Sequence, residues 1–191
     1  PTACFHRDLP MTLRRTATAV LAIGTLLSLA AGPIEAADFS GFRGPKRDNI
    51  STETGLLKQW PVGGPKLLWT AKGLGEGYST VSIVGGRAYT MGATRAGGES
   101  VHAIDLAGGN IVWSTKISSQ YGASAGNGPR ATPTIDGSRL YAQGLSGDVA
   151  CLDLESGRIV WQKNVLKEFA AGRPGWAICE SLMIDGQKMI C

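Results

Sequence analysis

The sequence predicts an all-β fold, a β-propeller built from four-stranded antiparallel blades. One eleven-residue pattern occurs twice, as Ala103-Ile-Asp-Leu-Ala-Gly-Gly-Asn-Ile-Val-Trp113 and Cys151-Leu-Asp-Leu-Glu-Ser-Gly-Arg-Ile-Val-Trp161. The copies lie 48 positions apart, from Asp105 to Asp153, and that period is the length of one propeller blade. The second observation is a set of hairpin dipeptides at matched places: Gly85-Gly86, Asp136-Gly137 and Asp185-Gly186. Such pairs between apolar runs signal two-residue β-hairpin turns.

Each unit reads as four strands, A to D. Residues 101–106 alternate with the period of two of an extended strand. Asp105 and Asp153 supply carboxylates that accept N–H groups at a turn. Gly109 and Gly157 supply the positive φ that turn needs. Ile111-Val112 and Ile159-Val160 start the next strand with β-branched residues. Trp113 and Trp161 close each unit with a large ring carrying one donor. The A and B strands lie around the hairpin dipeptides, and a third unit starts at Ser181.

These repeats resemble the pyrroloquinoline quinone (PQQ) type propeller repeat of the quinoprotein alcohol dehydrogenases, over about Trp69 to Cys191. In that family the tryptophan docks between neighbouring blades. The resemblance implies this role for Trp69, Trp113 and Trp161. It extends to propellers of the outer-membrane protein assembly factor B type, which are not enzymes. The repeat is scaffold, so it speaks for fold and not for chemistry.

Taken from its start, the chain shows Met11, then Arg14-Arg15, then an apolar run from Ala17 to Ala31, then Ile34-Glu35-Ala36. That is the layout of a secretory signal peptide cleaved after Ala36. A retained anchor is the alternative, but the run is short of the about 20 residues of a span. The mature chain is expected to be periplasmic or secreted, with no membrane span. Expressed from Met11 in a Gram-negative host, it should reach the periplasm with Ala37 as its N-terminus. Intact cytosolic product by mass spectrometry is the contrary result. Residues 1–10 are upstream sequence with no assigned structure.

The formal net charge is +4, and the basic residues are scattered. Nucleic-acid binding wants a clustered basic face and is not expected. Residues 37–64 are a lead-in rich in Gly and Pro. Its Phe42-Arg-Gly-Pro-Lys-Arg-Asp48 stretch resembles the segment before the first blade in secreted PQQ-like propellers of bacteria such as planctomycetes. Arg43, Arg47 and Asp48 are read as pins to the rim, with a binding site as the alternative. Residues 65–69 read as a D-type closing strand. A blade 70–113, a blade 114–161 and a partial blade 162–191 follow. About two and a half blades are too few to close a ring of about seven or eight, so a longer chain is expected.

Gly-rich loops lead from each D strand to the next A strand. In the resembling family, ligands bind on that face. Tyr78, Arg130, Trp176 and Glu180 are therefore the ligand-facing candidates, for a protein or a small molecule. No catalytic residue and no metal site is expected. His102 reads as a packed strand residue, and the four cysteines form no framework. The adjacent cysteine pair of quinoprotein alcohol dehydrogenases is absent. No cofactor is expected; PQQ and calcium enter only if the chain is an enzyme. The leading reading is a non-catalytic binding or assembly scaffold. The alternatives are a PQQ-dependent alcohol or sugar dehydrogenase, and the sensor domain of a multidomain protein.

Overall fold

The computed structural model describes residues 37–191. The expected signal peptide, residues 1–36, lies outside the described residues. Strands β1 (Ser82–Val84), β2 (Arg87–Thr94), β3 (Gly98–Asp105) and β4 (Ile111–Ser118) form one antiparallel sheet in chain order. A small hairpin, β5 (Gly122–Ala123) and β6 (Gly126–Asn127), follows. Strands β7 (Thr134–Asp136), β8 (Arg139–Gln143), β9 (Asp148–Asp153) and β10 (Ile159–Asn164) repeat the first sheet. One short helix, α1 (Val165–Glu168), precedes the hairpin of β11 (Met183–Asp185) and β12 (Lys188–Ile190). These are two four-stranded propeller blades and the A–B hairpin of a third.

The core lies in the middle strands. Tyr89, Met91, Val101 and Ala103 of the first blade join Leu140, Ala142, Ala150 and Leu152 of the second in one buried cluster. Both faces of β2 and β3 are buried, because the second blade packs on one side and the segment around Leu74 lies against the other. Alanine at 103, 142 and 150 lets the sheets approach, and leucine at 140 and 152 fills the space between. Each of these leucines is fully buried and contributes about 1.5–3 kcal/mol at most.

Several boundaries differ from the sequence reading. The hairpin loops are Gly85-Gly86, Gly137-Ser138 and Gly186-Gln187, between the register pairs Val84–Arg87, Asp136–Arg139 and Asp185–Lys188. Asp136 and Asp185 therefore end strands, one position before the turn. Gly85 and Gly86 both have positive φ, whereas in the other two loops only the first residue does. The first pattern suits a type I′ turn and the second a type II′ turn. The blades do not end at Trp113 and Trp161, because β4 runs on to Ser118 and β10 to Asn164. Residues 65–69 form no strand, and Leu67 and Leu68 are exposed. A strand needs a ladder partner, and no described residue pairs with this stretch in the sheets.

The lead-in is pinned along the first strand of each blade unit. Phe39 exchanges two backbone hydrogen bonds with Ile83 of β1, at 2.7 and 2.9 Å. The Ser40 carbonyl accepts from Ile135 N of β7 at 2.7 Å. Arg47 donates to the carbonyls of Ser181 and Leu182, just before β11. One peptide thus ties the A edges of three successive blade units. Asp48 instead accepts from Ile50 N within the segment. Arg43, Arg47 and Asn49 all hold positive φ, which costs about 1 kcal/mol or more each and persists only because the ends are fixed. Arg47→Ala should lower stability by about 1.5–3 kcal/mol, the range for hydrogen bonds from a charged donor. Urea unfolding of the full chain measures it, and an unchanged midpoint would remove Arg47 as a pin.

Candidate functional site: the loop face

The docking tryptophans set the blade geometry that carries the loops. The Trp69 ring covers Gly109, whose φ is 70°. Its Nε1 donates to the Leu106 carbonyl at 2.8 Å. Trp113 covers Gly157, φ 69°, in the same way, and a β-carbon at 157 would lie 2.5 Å from its ring. Trp113 therefore leaves its own D strand and caps the C–D turn of the next blade, and Trp69, from the stretch before the first blade, caps the first blade's turn in the same way. The turn itself is held by aspartate: Gly108 N donates to Asp105 Oδ2 at 3.0 Å, and Ser156 N to Asp153 Oδ1 at 3.0 Å. The Ser156 hydroxyl and N–H hold the Asp153 carboxyl below the usual range. Trp161 differs. It leans on Tyr141 of its own blade, centroids 6.2 Å apart, and stays 36% exposed. Among the described residues no following turn covers it.

On the loops, the structure brings Tyr78 and Arg130 together. The Arg130 guanidinium lies 5.5 Å from the Tyr78 ring centroid. Its Nη1 and Nη2 donate to the carbonyls of Gly128, at 2.8 Å, and Gly126, at 3.1 Å. Tyr78 N donates to the Pro129 carbonyl at 2.8 Å. Any side chain at Gly126 would strike the Tyr78 hydroxyl. Arg130 thus braces its own loop, and Tyr78 stays 61% exposed. On the other side of the β5–β6 hairpin, Ser124 donates to the Gly175 carbonyl at 3.2 Å. That bond ties in the loop of Trp176, which is 75% exposed. Glu180 is not part of this group. It lines a separate pocket of about 220 Å3 with Gln143, Phe169 and Ile178.

Four residues on this face were missed by the sequence reading. Arg95 stacks on Tyr121 at 5.1 Å. Asn127 donates to both the Tyr121 hydroxyl, at 3.1 Å, and Glu76 Oε2, at 2.9 Å. These hydrogen bonds, Asn127 first, hold the Glu76 carboxyl below its ordinary range. They come from three separate loops, and nothing in the repeat marks them. Glu99 was missed too. It is fully buried at the start of β3, and Leu145 N donates to its carboxyl oxygens at 3.0 and 3.3 Å. Burial pushes it up to about 7, with the Asp148 charge adding to that. The one signal for it is a break in the repeat: Gly147 stands at the matching place in the second copy.

His102 is buried between Ser114 Oγ, at 2.8 Å from Nδ1, and the Leu74 carbonyl, at 3.0 Å from Nε2. A carbonyl only accepts, so Nε2 carries the hydrogen and the neutral ring takes the Ser114 proton. Burial holds its pKa below the ordinary value. It is a strand residue with both nitrogens used. Cys151, Cys179 and Cys191 are free thiols. Among the described residues, no three His, Cys, Asp or Glu side chains cluster as a metal site. No helix there is long and apolar enough to cross a membrane.

The family model described as outer membrane protein assembly factor BamB matches residues 51–179. BamB of Yersinia pestis is 28% identical over 123 residues, covering 61% of this chain and 30% of the relative. BamB of Moranella endobia is 29% identical over 123 residues, covering 61% and 31%. The chain thus spans about a third of the length of the curated relatives it matches. A solved quinohemoprotein alcohol dehydrogenase, ADHIIG from Pseudomonas putida HK5, aligns with a TM-score of 0.49 and 18% identity, over 61% of this chain and 16% of that one. With two blades of PQQ-like repeats, and a family model matched across most of its length, this chain belongs to the BamB family of outer membrane protein assembly factors.

Proposed function

We propose that the chain acts as a non-catalytic scaffold in the bacterial envelope, holding a protein partner on its loop face. The observation that carries this reading is the exposed pair Tyr78 and Trp176, set on either side of the β5–β6 hairpin. Tyrosine, tryptophan and arginine are the residues that dominate binding energy at protein interfaces. The bond from Tyr78 N to the Pro129 carbonyl, in the loop that Arg130 braces, holds Tyr78 in place before binding, which lowers the ordering cost. The names of the relatives point to outer-membrane protein assembly. Cleavage after Ala36 and a periplasmic site go with this reading.

The dehydrogenase reading finds less support. A bound quinone with three carboxylates needs convergent cations and an adjoining calcium cage. Arg130 has two of its donors committed to its own loop. The described residues supply no carboxylate cluster beside it. The residues present do not fit PQQ with calcium, and we propose that the chain binds neither.

Photo-crosslinking tests the scaffold reading. A photoreactive amino acid is placed at Tyr78, at Trp176, or at Gln187 on the opposite hairpin end, in the full-length protein in its own bacterium. Discrete protein adducts containing an outer-membrane assembly component are expected at 78 and 176. Adducts equal at all three positions, or none at 78 and 176, contradict it.

A further inference from the structure

Glu99 sits at the seam of the two blades with no solvent exposure. Its strand, β3, belongs to the first blade, and its carboxyl takes the N–H of Leu145 from the second. A side chain at Gly144 would strike Glu99 Oε2, so the second blade leaves a gap shaped for this carboxyl. Leu145 is itself fully buried, and its carbonyl accepts from Ile178 N at 3.1 Å. Ile178 lies two residues after Trp176. A line of backbone bonds therefore runs from the buried carboxyl to the loop of the exposed tryptophan.

The charged groups facing Glu99 are Asp148 of β9 and Arg130 of the loop before β7. On its own strand, His102 turns to Leu74 and Ser114, and Asp105 is held in its turn. The Ser118 hydroxyl of β4 donates to Asp148 Oδ2 at 2.7 Å and accepts from Gln120 N at 3.1 Å. Asp148 Oδ1 takes an N–H of Asn164 at 2.9 Å. Ser118, Asp148 and Asn164 line a cleft of about 640 Å3 between β4 and β10, so open space lies against the residues next to Glu99.

We propose that Glu99 is a proton-operated latch between the two blades, setting how firmly the loop carrying Trp176 is held. Protonated, the carboxyl is neutral and its carbonyl oxygen accepts from Leu145 N, and the seam is closed. When the proton leaves to solvent, a buried anion faces the Asp148 anion. The Leu145 N–H by itself favours the anion, but desolvation, the larger effect, and the Asp148 charge outweigh it; the charge moves toward water in the cleft, the Leu145 bond is given up, and Ile178 follows. The latch rests on the scaffold reading only for what the Trp176 loop binds.

Hydrogen exchange followed by mass spectrometry on the full chain, with no partner present, tests it. Between pH 5.5 and 8, after correction for intrinsic rates, peptides covering 144–147 and 174–179 should lose protection by about tenfold. Glu99→Gln should remove this pH dependence. Asp148→Asn should move the wild-type midpoint to lower pH, because the repelling charge is gone; this arm decides if Glu99→Gln fails to fold. Equal pH profiles for wild type and Glu99→Gln, or a midpoint that Asp148→Asn leaves in place or raises, overturn the latch. Either failure leaves the crosslinking test of the scaffold untouched.

Discussion

Trp113→Ala should cost the chain about 3 kcal/mol of unfolding free energy. Trp113 is half-buried and packs against the core cluster, its ring centroid 6.0 Å from that of Tyr89. Its far side caps the Gly157 turn of the next blade. Deleting it removes apolar burial from two blades at once. The low end of the range for Trp→Ala applies because the ring is not fully buried. Its Nε1 is buried without an acceptor among the described residues. Trp113→Phe therefore gives up no hydrogen bond and should cost about 1 kcal/mol or less, as a change of shape with most of the ring kept. Trp161→Ala, at the more exposed ring, should also cost about 1 kcal/mol. Urea unfolding of the full chain orders the three. A Trp113→Ala loss below about 1 kcal/mol, in the range of surface changes, would take the ring out of the blade seam.

The second large effect is a gain. Glu99→Gln should stabilise the chain at pH 8 and not at pH 4. The carboxyl moves from 4.5 to about 7 on folding. Below 4.5 both folded and unfolded states hold the proton, and there is no difference. Between 4.5 and about 7 the unfolded chain releases a proton that the folded chain keeps, so stability falls as pH rises. Above about 7 both states are ionised and the full penalty, about 3 kcal/mol, is present. Glutamine carries no charge to bury and keeps an oxygen for Leu145 N. The variant should therefore gain about 2–3 kcal/mol at pH 8 and approach the wild type at pH 4. His102 acts in the opposite sense. Its pKa is lowered by burial, so its contribution is lost as pH falls below its unfolded value. Comparing wild type with Glu99→Gln at each pH cancels the His102 effect. A wild-type and a variant profile that run parallel from pH 4 to 8 would contradict the burial of a titrating carboxyl.

The repeat made the blades readable because local chemistry and tertiary packing agree there. Asp105, Gly109 and Trp113 lie within nine residues, and each acts through turn geometry or the adjacent blade. The same holds for Asp153, Gly157 and Trp161, except that Trp161 has no described turn to cover. The dipeptides Asp136-Gly137 and Asp185-Gly186 point to turns one residue before the loops that form. An Asp before a Gly is a turn signal, but the register put glycine first in the loop, where positive φ is needed. Residues 65–69 look like a strand in composition, yet a strand exists only with a partner. The loop face was half visible. Tyr78, Arg130 and Trp176 follow from their place before the A strands, and the first two do meet. Glu76, Arg95, Tyr121 and Asn127 meet only because three loops converge, which no local pattern encodes. Glu99 stayed hidden for a related reason: a lone glutamate near a turn reads as solvent-facing until the next blade is laid over it.

The most direct test of the scaffold claim is a titration of the full-length protein with PQQ in the presence of calcium. Calorimetry reads binding, and dye-linked oxidation of primary alcohols and aldose sugars reads turnover. Arg130, with two donors held by the Gly126 and Gly128 carbonyls, is the one cation among the described residues at the matched position before an A strand. The scaffold account predicts no heat of binding at about 10 µM quinone and no dye reduction above a protein-free control. Micromolar binding together with turnover, both lost in Arg130→Ala, would contradict it.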